Sequence, residues 1–185
     1  LRETPRDIAW HTEALLDRDD PNDPLVLIRE SSQSVLAGGS QIFIYTPDTR
    51  NLFSATVNAL DSLGLTIMDA RIITSADGFS LDTYIVLDEH GTPIGEDWAR
   101  IEQIRKTLTE TLKYPERFAS TVSRRMPRRN KHFDVPTQVL ISNDIVNDRT
   151  AVDIHTLDRP GLLAHIGRIF MRFELLVQNA RIATL

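Results

Sequence analysis

Residues 151–184 read AVDIHTLDRPGLLAHIGRIFMRFELLVQNARIAT, which parses as strand, tight loop, helix, strand. Val152, Ile154 and Thr156 alternate with Asp153, His155 and Leu157, the period of a strand. Asp158-Arg159-Pro160-Gly161 breaks that alternation. An acid at or just before the cap and a proline in the first turn predict a helix start. Leu162, Ile166, Ile169, Phe170 and Phe173 then recur at spacings of three and four, one apolar stripe. A second strand is predicted over 175–184.

The pattern occurs a second time, 110 residues earlier. IYTPDTRNLFSATVNALDSLGLTIMDARIIT (44–74) aligns without a gap on IHTLDRPGLLAHIGRIFMRFELLVQNARIAT (154–184). Ile44/Ile154, Thr46/Thr156, Asp48/Asp158, Leu52/Leu162, Leu65/Leu175, Ala70/Ala180, Arg71/Arg181, Ile72/Ile182 and Thr74/Thr184 are identical. They fall at element ends and on core faces. The chain therefore holds a tandem repeat of one supersecondary unit.

A length of 185 residues suits one large domain or two small ones, and the repeat favours two. Hydrophobic content of 41% and charge of 25% are ordinary for a globular protein. The absence of cysteine excludes disulfides, thiol catalysis and cysteine-ligated zinc, and it suits a cytoplasmic location. No apolar run approaches ~20 residues, so no membrane span is expected. The start, LRETPRD, has no apolar h-region, so no signal peptide is expected and the chain reads as cut from something longer. A net charge of −5 argues against nucleic-acid binding.

Before the first copy, Thr4-Pro5-Arg6-Asp7 predicts a capped helix to about Leu16. An acidic linker and a short strand at Leu25-Val26-Leu27-Ile28 follow. The first copy has a strand at 41–46, a helix at 50–63 with Gly64 as its left-handed stop, and a strand at 65–74. Ala76-Asp77-Gly78 predicts a hairpin turn into an alternating strand at 79–87. Trp98, Ile101, Leu108 and Leu112 mark a second amphipathic helix, with Trp98 in the core and Pro115 at the end. A strand at 137–142 closes the unit. The order is β-α-β-β-α-β, the ferredoxin-like split βαβ arrangement, an α+β fold with a four-stranded antiparallel sheet. The second copy stops after β-α-β and lacks the middle strand that would pair with both of its own. That gap is expected to be filled by a partner chain, by the sheet of the first copy or by further residues. A chain of this extent is expected to form a strand-sharing homodimer or to be partly unfolded beyond about residue 150.

A βαββαβ unit with Asp-x-x-Gly-Leu-Leu between its first strand and helix resembles an ACT domain, a small-molecule sensor of amino-acid metabolism. Asp158-Arg159-Pro160-Gly161-Leu162-Leu163 matches that motif in full. Asp48-Thr49-Arg50-Asn51-Leu52-Phe53 matches it with Asn for Gly, the next-best residue at a left-handed position. The flanks carry a more specific likeness. Residues 4–12, 24–30, 41–46, 136–144 and 153–185 resemble the carboxyl-terminal third of the bifunctional uridylyltransferase/uridylyl-removing enzymes. That resemblance implies the tail of a preceding domain and linker at 1–39, a first ACT domain at 40–144, and the amino-terminal half of a second at 150–185. It implies a regulatory segment of an enzyme that uridylylates and deuridylylates the PII signal protein, with glutamine as the signal. The catalytic activities, and the magnesium they require, are implied for the parent's other domains. No paired nucleotidyltransferase aspartates and no His-Asp metal cluster are found here, so no catalytic residues and no cofactor are expected in this segment. Implied partners are glutamine, the parent's own catalytic domains, PII through the parent, and a homodimer through ACT sheets as a further option.

The loops at 48–53 and 158–163 are the candidate ligand site. A strand end feeding a helix start presents unpaired N–H groups and a positive dipole end, which suits the carboxylate of a free amino acid. The candidate residues are Asp158, Arg159, Gly161, Leu162 and Leu163 with Asp48, Asn51 and Leu52. Asn179 and Asp69, equivalent on the second strands, could reach a ligand amine or amide. The plainer reading is that Asp and Gly only cap and turn. His11, His90, His132, His155 and His165 show no metal spacing. Residues 124–132, rich in arginine, read as a solvated loop or a docking patch. Other readings are a ligand-free dimerisation or docking module of another amino-acid-metabolism enzyme, an RNA-binding domain and an acyl-phosphate hydrolase. The RNA reading lacks the aromatic run on its central strands, and the hydrolase lacks an arginine at equivalent positions of the two loops.

Overall fold

The computed structural model of the protein describes residues 4–18, 20, 22–31, 38–118, 136–146, 148–159 and 161–183. Residues 124–132, the basic stretch, lie outside them, as does Pro160. The fold is α+β and its sheets are antiparallel. Helix α1 (Pro5–Leu16) starts as its Thr-Pro-x-Asp signature predicts. The Thr4 hydroxyl oxygen accepts from the Asp7 N–H at 3.2 Å, and the Asp7 carboxylate accepts from the Thr4 N–H at 2.8 Å.

Five strands form the main sheet in the order β1-β2-β4-β3-β7. They are β1 (Leu25–Glu30), β2 (Ser40–Pro47), β3 (Thr66–Ile73), β4 (Phe79–Leu87) and β7 (Asn179–Ala183). Alternate residues face a single layer of helices: Ile42 and Ile44 of β2, Ala70 and Ile72 of β3, Tyr84 and Val86 of β4. Against them pack Val57 and Leu60 of α2 (Leu52–Ser62) and Ile104, Leu108 and Leu112 of α3 (Trp98–Lys113). On the other face α1 lies over β1 and β2. The His11 ring stacks on Phe43 with centroids 3.6 Å apart, and Arg29 pairs with buried Asp7 while donating to Gln41 Oε1 at 3.0 Å.

Several expectations are corrected. Trp98 is 68% exposed: it sits at the first position of α3, and the Arg105 guanidinium lies over its ring. Pro115 does mark the end of α3, whose last residue is Lys113, and it also begins a short helix, α4 (Pro115–Phe118), since proline suits a first helical position as well as a stop. The last strand of the second copy is β7 alone, and 175–178 form the connection into it from the helix before it.

The largest correction concerns the strand predicted to close the first unit. β5 (Gln138–Asp144) follows α3 in the chain as expected, yet it pairs with β6 (Arg149–His155) in a separate two-stranded hairpin. The edge beside β2 is taken instead by β1, from ahead of the repeat. The registers explain this. Leu25 stands opposite Tyr45, and Gln138 stands opposite His155, the residue equivalent to Tyr45. Val26-Leu27-Ile28 recurs as Val139-Leu140-Ile141. Each copy thus opens with a hairpin, and the spacing between copies changes from 110 to 113 residues across its turn, which hides the first strand from a gapless alignment.

The second copy joins the first along one edge. β7 pairs with β3, and α5 (Leu162–Arg172) packs antiparallel on α2. The sheet of the first copy is therefore what takes up β7. β6 and β7 do not pair with each other, and among the described residues no strand lies on the other edge of either. The consequence for burial is large: Val26 is 4% exposed and its counterpart Val139 is 51% exposed.

Candidate functional site

The two loops share a left-handed residue at the helix start. Asn51, at φ 67° and ψ 4°, precedes α2; Gly161, at φ 75° and ψ 9°, precedes α5. The exchange of glycine for asparagine leaves the left-handed turn intact. In neither helix does the residue at the cap give a side-chain bond to the first turn. Leu52 N–H turns back to Thr49 O at 3.2 Å and Leu162 N–H to Arg159 O at 3.0 Å. The remaining first-turn amides, with the positive end of the helix dipole, point out of the loop.

Asp48 is fixed at the mouth of the first loop. Its N–H donates to Gly78 O at 2.8 Å, and its carboxylate accepts from Thr74 Oγ1 at 2.9 Å. Below it, Thr46, Ser80 and Thr74 stand opposite one another across β2, β4 and the end of β3. Ser80 Oγ donates to Asp82 at 2.6 Å, and the Tyr84 hydroxyl lies at 3.5 Å. Burial pushes the Asp82 carboxyl up to about 7, and the Asp48 charge adds to this against the hydrogen bonds of Ser80, Tyr84 and the Ile73 backbone.

Loop 48–54 is one wall of a narrow crevice whose other wall comes from the second copy: Gly167, Phe170, Met171 and 175–177. Gly167 makes this approach possible, because a Cβ there would lie 3.0 Å from Ser54 Cα. The Phe53 and Phe170 rings meet at 6.3 Å. Asp48, Asn51 and Leu52, all expected at the site, line this crevice. Asp158, Arg159, Gly161, Leu162 and Leu163 sit together at the opposite end of the α2–α5 pair. There Asp158 and Arg159 are exposed and Leu163 packs against the core.

Asp69 and Asn179 are not brought to either loop. Ala70, Ile72, Ala180 and Ile182 turn to the helices, so the residues between them face the opposite side of the sheet. There Asp69 stands opposite Ala183 and Asn179 opposite Ile73. Sequence reasoning missed Asp82 and the wall from Gly167 to 177. The signal for Asp82 was its phase, since it alternates in step with Tyr84 and Val86, the core-facing residues of β4. Among the described residues no three His, Asp or Glu side chains gather as a metal site, and no described helix is long and apolar enough to cross a membrane.

No family model matches the chain, and no solved structure matches it. Relatives match it along its whole length. The chain is 52% identical over 185 residues to the bifunctional uridylyltransferase/uridylyl-removing enzyme of Pseudomonas putida strain F1. It is 52% identical to that of Ectopseudomonas mendocina strain ymp and 50% identical to that of Stutzerimonas stutzeri strain A1501. All of this chain is covered in each case, and it spans 21% of the length of these relatives. Over its whole length the chain is similar to the carboxyl-terminal segment of bifunctional uridylyltransferase/uridylyl-removing enzymes.

Proposed function

We propose that this chain is the regulatory, glutamine-sensing segment of an enzyme that uridylylates and deuridylylates the PII nitrogen-signalling protein, and that its two copies are ACT-type units. The observation that carries this reading is the crevice between the copies. It combines an uncapped helix start, a left-handed residue at the turn and a carboxylate, Asp48, against an apolar wall of the second copy. A free amino acid is a zwitterion. Its carboxylate suits the first-turn N–H groups of α2 and its ammonium suits Asp48. The 158–163 loop, with the same left-handed residue before its helix and the full Asp-x-x-Gly-Leu-Leu motif, is the second place for the same chemistry.

A ligand that touches both copies favours one arrangement of them over another by its difference in affinity. Regulation of catalytic domains elsewhere in the parent follows from that difference, with no catalytic group supplied by this segment. Calorimetric titration of the chain with L-glutamine and other amino acids tests the reading; the expected result is saturable binding selective for glutamine. Deleting the segment from the parent enzyme is expected to leave uridylyl transfer and abolish its response to glutamine. Absence of any amino-acid binding would favour a ligand-free docking or dimerisation module instead.

A further inference from the structure

Beneath the crevice the first copy is polar where its core is otherwise apolar. Asp82 is 1% exposed and lies in the core-facing row of β4. Two ionisable groups face it: Asp48 from the β2–α2 connection and the Tyr84 hydroxyl from its own strand. β2 carries no charged residue, Asp61 of α2 lies near the far end of that helix, and Arg50 is exposed. Asp69 and Arg71 of β3 face the other side of the sheet. Each acid takes a hydroxyl from one of two residues paired across the strands: Ser80 donates to Asp82, Thr74 donates to Asp48 at the mouth of the crevice, and Ser80 and Thr74 stand opposite each other in a backbone bridge.

Burial favours the protonated form of Asp82, and the charge on Asp48 pushes in the same direction, so a change of charge at Asp48 shifts the balance. We propose that Asp82 is the proton-exchanging partner of the crevice: a cationic ligand group seated on Asp48 cancels the repulsion, and Asp82 then gives its proton to the solvent. The proposal rests on the reading of the crevice as an amino-acid site. It adds the orientation of the ligand, ammonium toward Asp48, and a rule for its regulation. Binding that releases a proton tightens as pH rises through neutrality, whereas a ligand presenting its carboxylate to Asp48 would take a proton up.

The test uses the whole chain. The Asp82 carboxyl is followed by carbon NMR against pH in the unaltered protein, in Asp48→Asn and at saturating L-glutamine. Asp48→Asn is expected to lower the Asp82 midpoint by about one unit, and glutamine to do the same. Calorimetry at pH 7 in two buffers of different ionisation heat counts the proton released, and Asp82→Asn is expected to remove it. A midpoint that Asp48→Asn leaves in place overturns the proposal. So does glutamine binding with equal heat in both buffers, which would sink this proposal alone. If glutamine gives no binding heat, the amino-acid reading fails and takes the proposal with it.

Discussion

Arg71 of β3 and Arg181 of β7, equivalent residues of the two copies, stand directly opposite each other across the strand pair. An internal two-fold axis therefore passes between them. Its operation pairs Asp69 with Ala183 at one end and Ile73 with Asn179 at the other, and it sets α5 antiparallel on α2. The repeat is thus a structural dimer within one chain.

Like charges directly opposite on one sheet face disfavour the pairing. Arg181→Glu is expected to stabilise the chain by about 0.5–1 kcal/mol. The double variant Arg71→Glu, Arg181→Glu is expected to return to the starting stability. Urea denaturation of all three proteins checks this; a destabilised Arg181→Glu would refute the idea that the two guanidiniums oppose each other.

The helix ends repeat the same left-handed backbone with different residues. Gly64, at φ 84°, ends α2, and its equivalent Glu174, at φ 55°, ends α5. Leu65 N–H reaches Leu60 O at 3.0 Å, and Leu175 N–H reaches Phe170 O at 2.9 Å. Glutamate strains the position that glycine occupies freely. Glu174→Gly is expected to stabilise by about 0.5–1 kcal/mol, and Gly64→Glu to destabilise by a similar amount. Thermal melting of each variant reads the sign.

Gly167→Val is expected to cost about 1–3 kcal/mol, because the added atoms meet the α2 backbone at Ser54 as well as the stiff, branched Val57 side chain. A Cβ alone would lie 3.0 Å from Ser54 Cα and 3.1 Å from Val57 Cγ2. Gly167→Ala is expected to show a smaller loss in the same direction. Both narrow the crevice, so affinity for L-glutamine should fall in the same order as the melting temperature. An unchanged melting temperature in Gly167→Val would mean that the helices do not pack this closely in solution.

The contact of α1 with the sheet is expected to weaken in acid. Burial holds the His11 imidazole down to about 4; the Asp7 carboxylate opposes this and the Arg29 charge adds to it. The unfolded chain therefore binds more protons than the folded one from about pH 6.5 down to about pH 4, and stability is lost as pH falls through that window. Asp7 acts in the same sense lower down. Burial alone would raise its carboxyl, but hydrogen bonds from Thr4 and the Arg29 charge hold it below the usual value, so its contribution also disappears in acid. Hydrogen exchange at pH 7 and pH 5 is expected to show α1 losing protection first. His11→Phe, which keeps the stack on Phe43, is expected to remove much of that pH dependence.

Local conformation was legible residue by residue. The cap at Thr4, the left-handed stop at Gly64, the turn at Gly78 and the alternation of β4 each follow from the chemistry of a few neighbouring residues. The repeat was legible too, from the residues identical at element ends and on core faces. Loops 48–53 and 158–163 were found as strand ends that feed helix starts, and Asp48, Asn51 and Leu52 do border a crevice.

Strand partnership was decided only in three dimensions. β1 and β5 both carry Val-Leu-Ile, yet nothing in either triplet says which strand it will pair with. Alternation sets which face a residue takes, while the ladder is set by which edges meet and by how long the connections are. The placement of β7 on β3, and with it the second wall of the crevice, depends on that meeting of edges. So does the balance of charge on Asp82, since this carboxyl is raised by the water that folding removes and, to a lesser degree, by the acid that folding sets beside it.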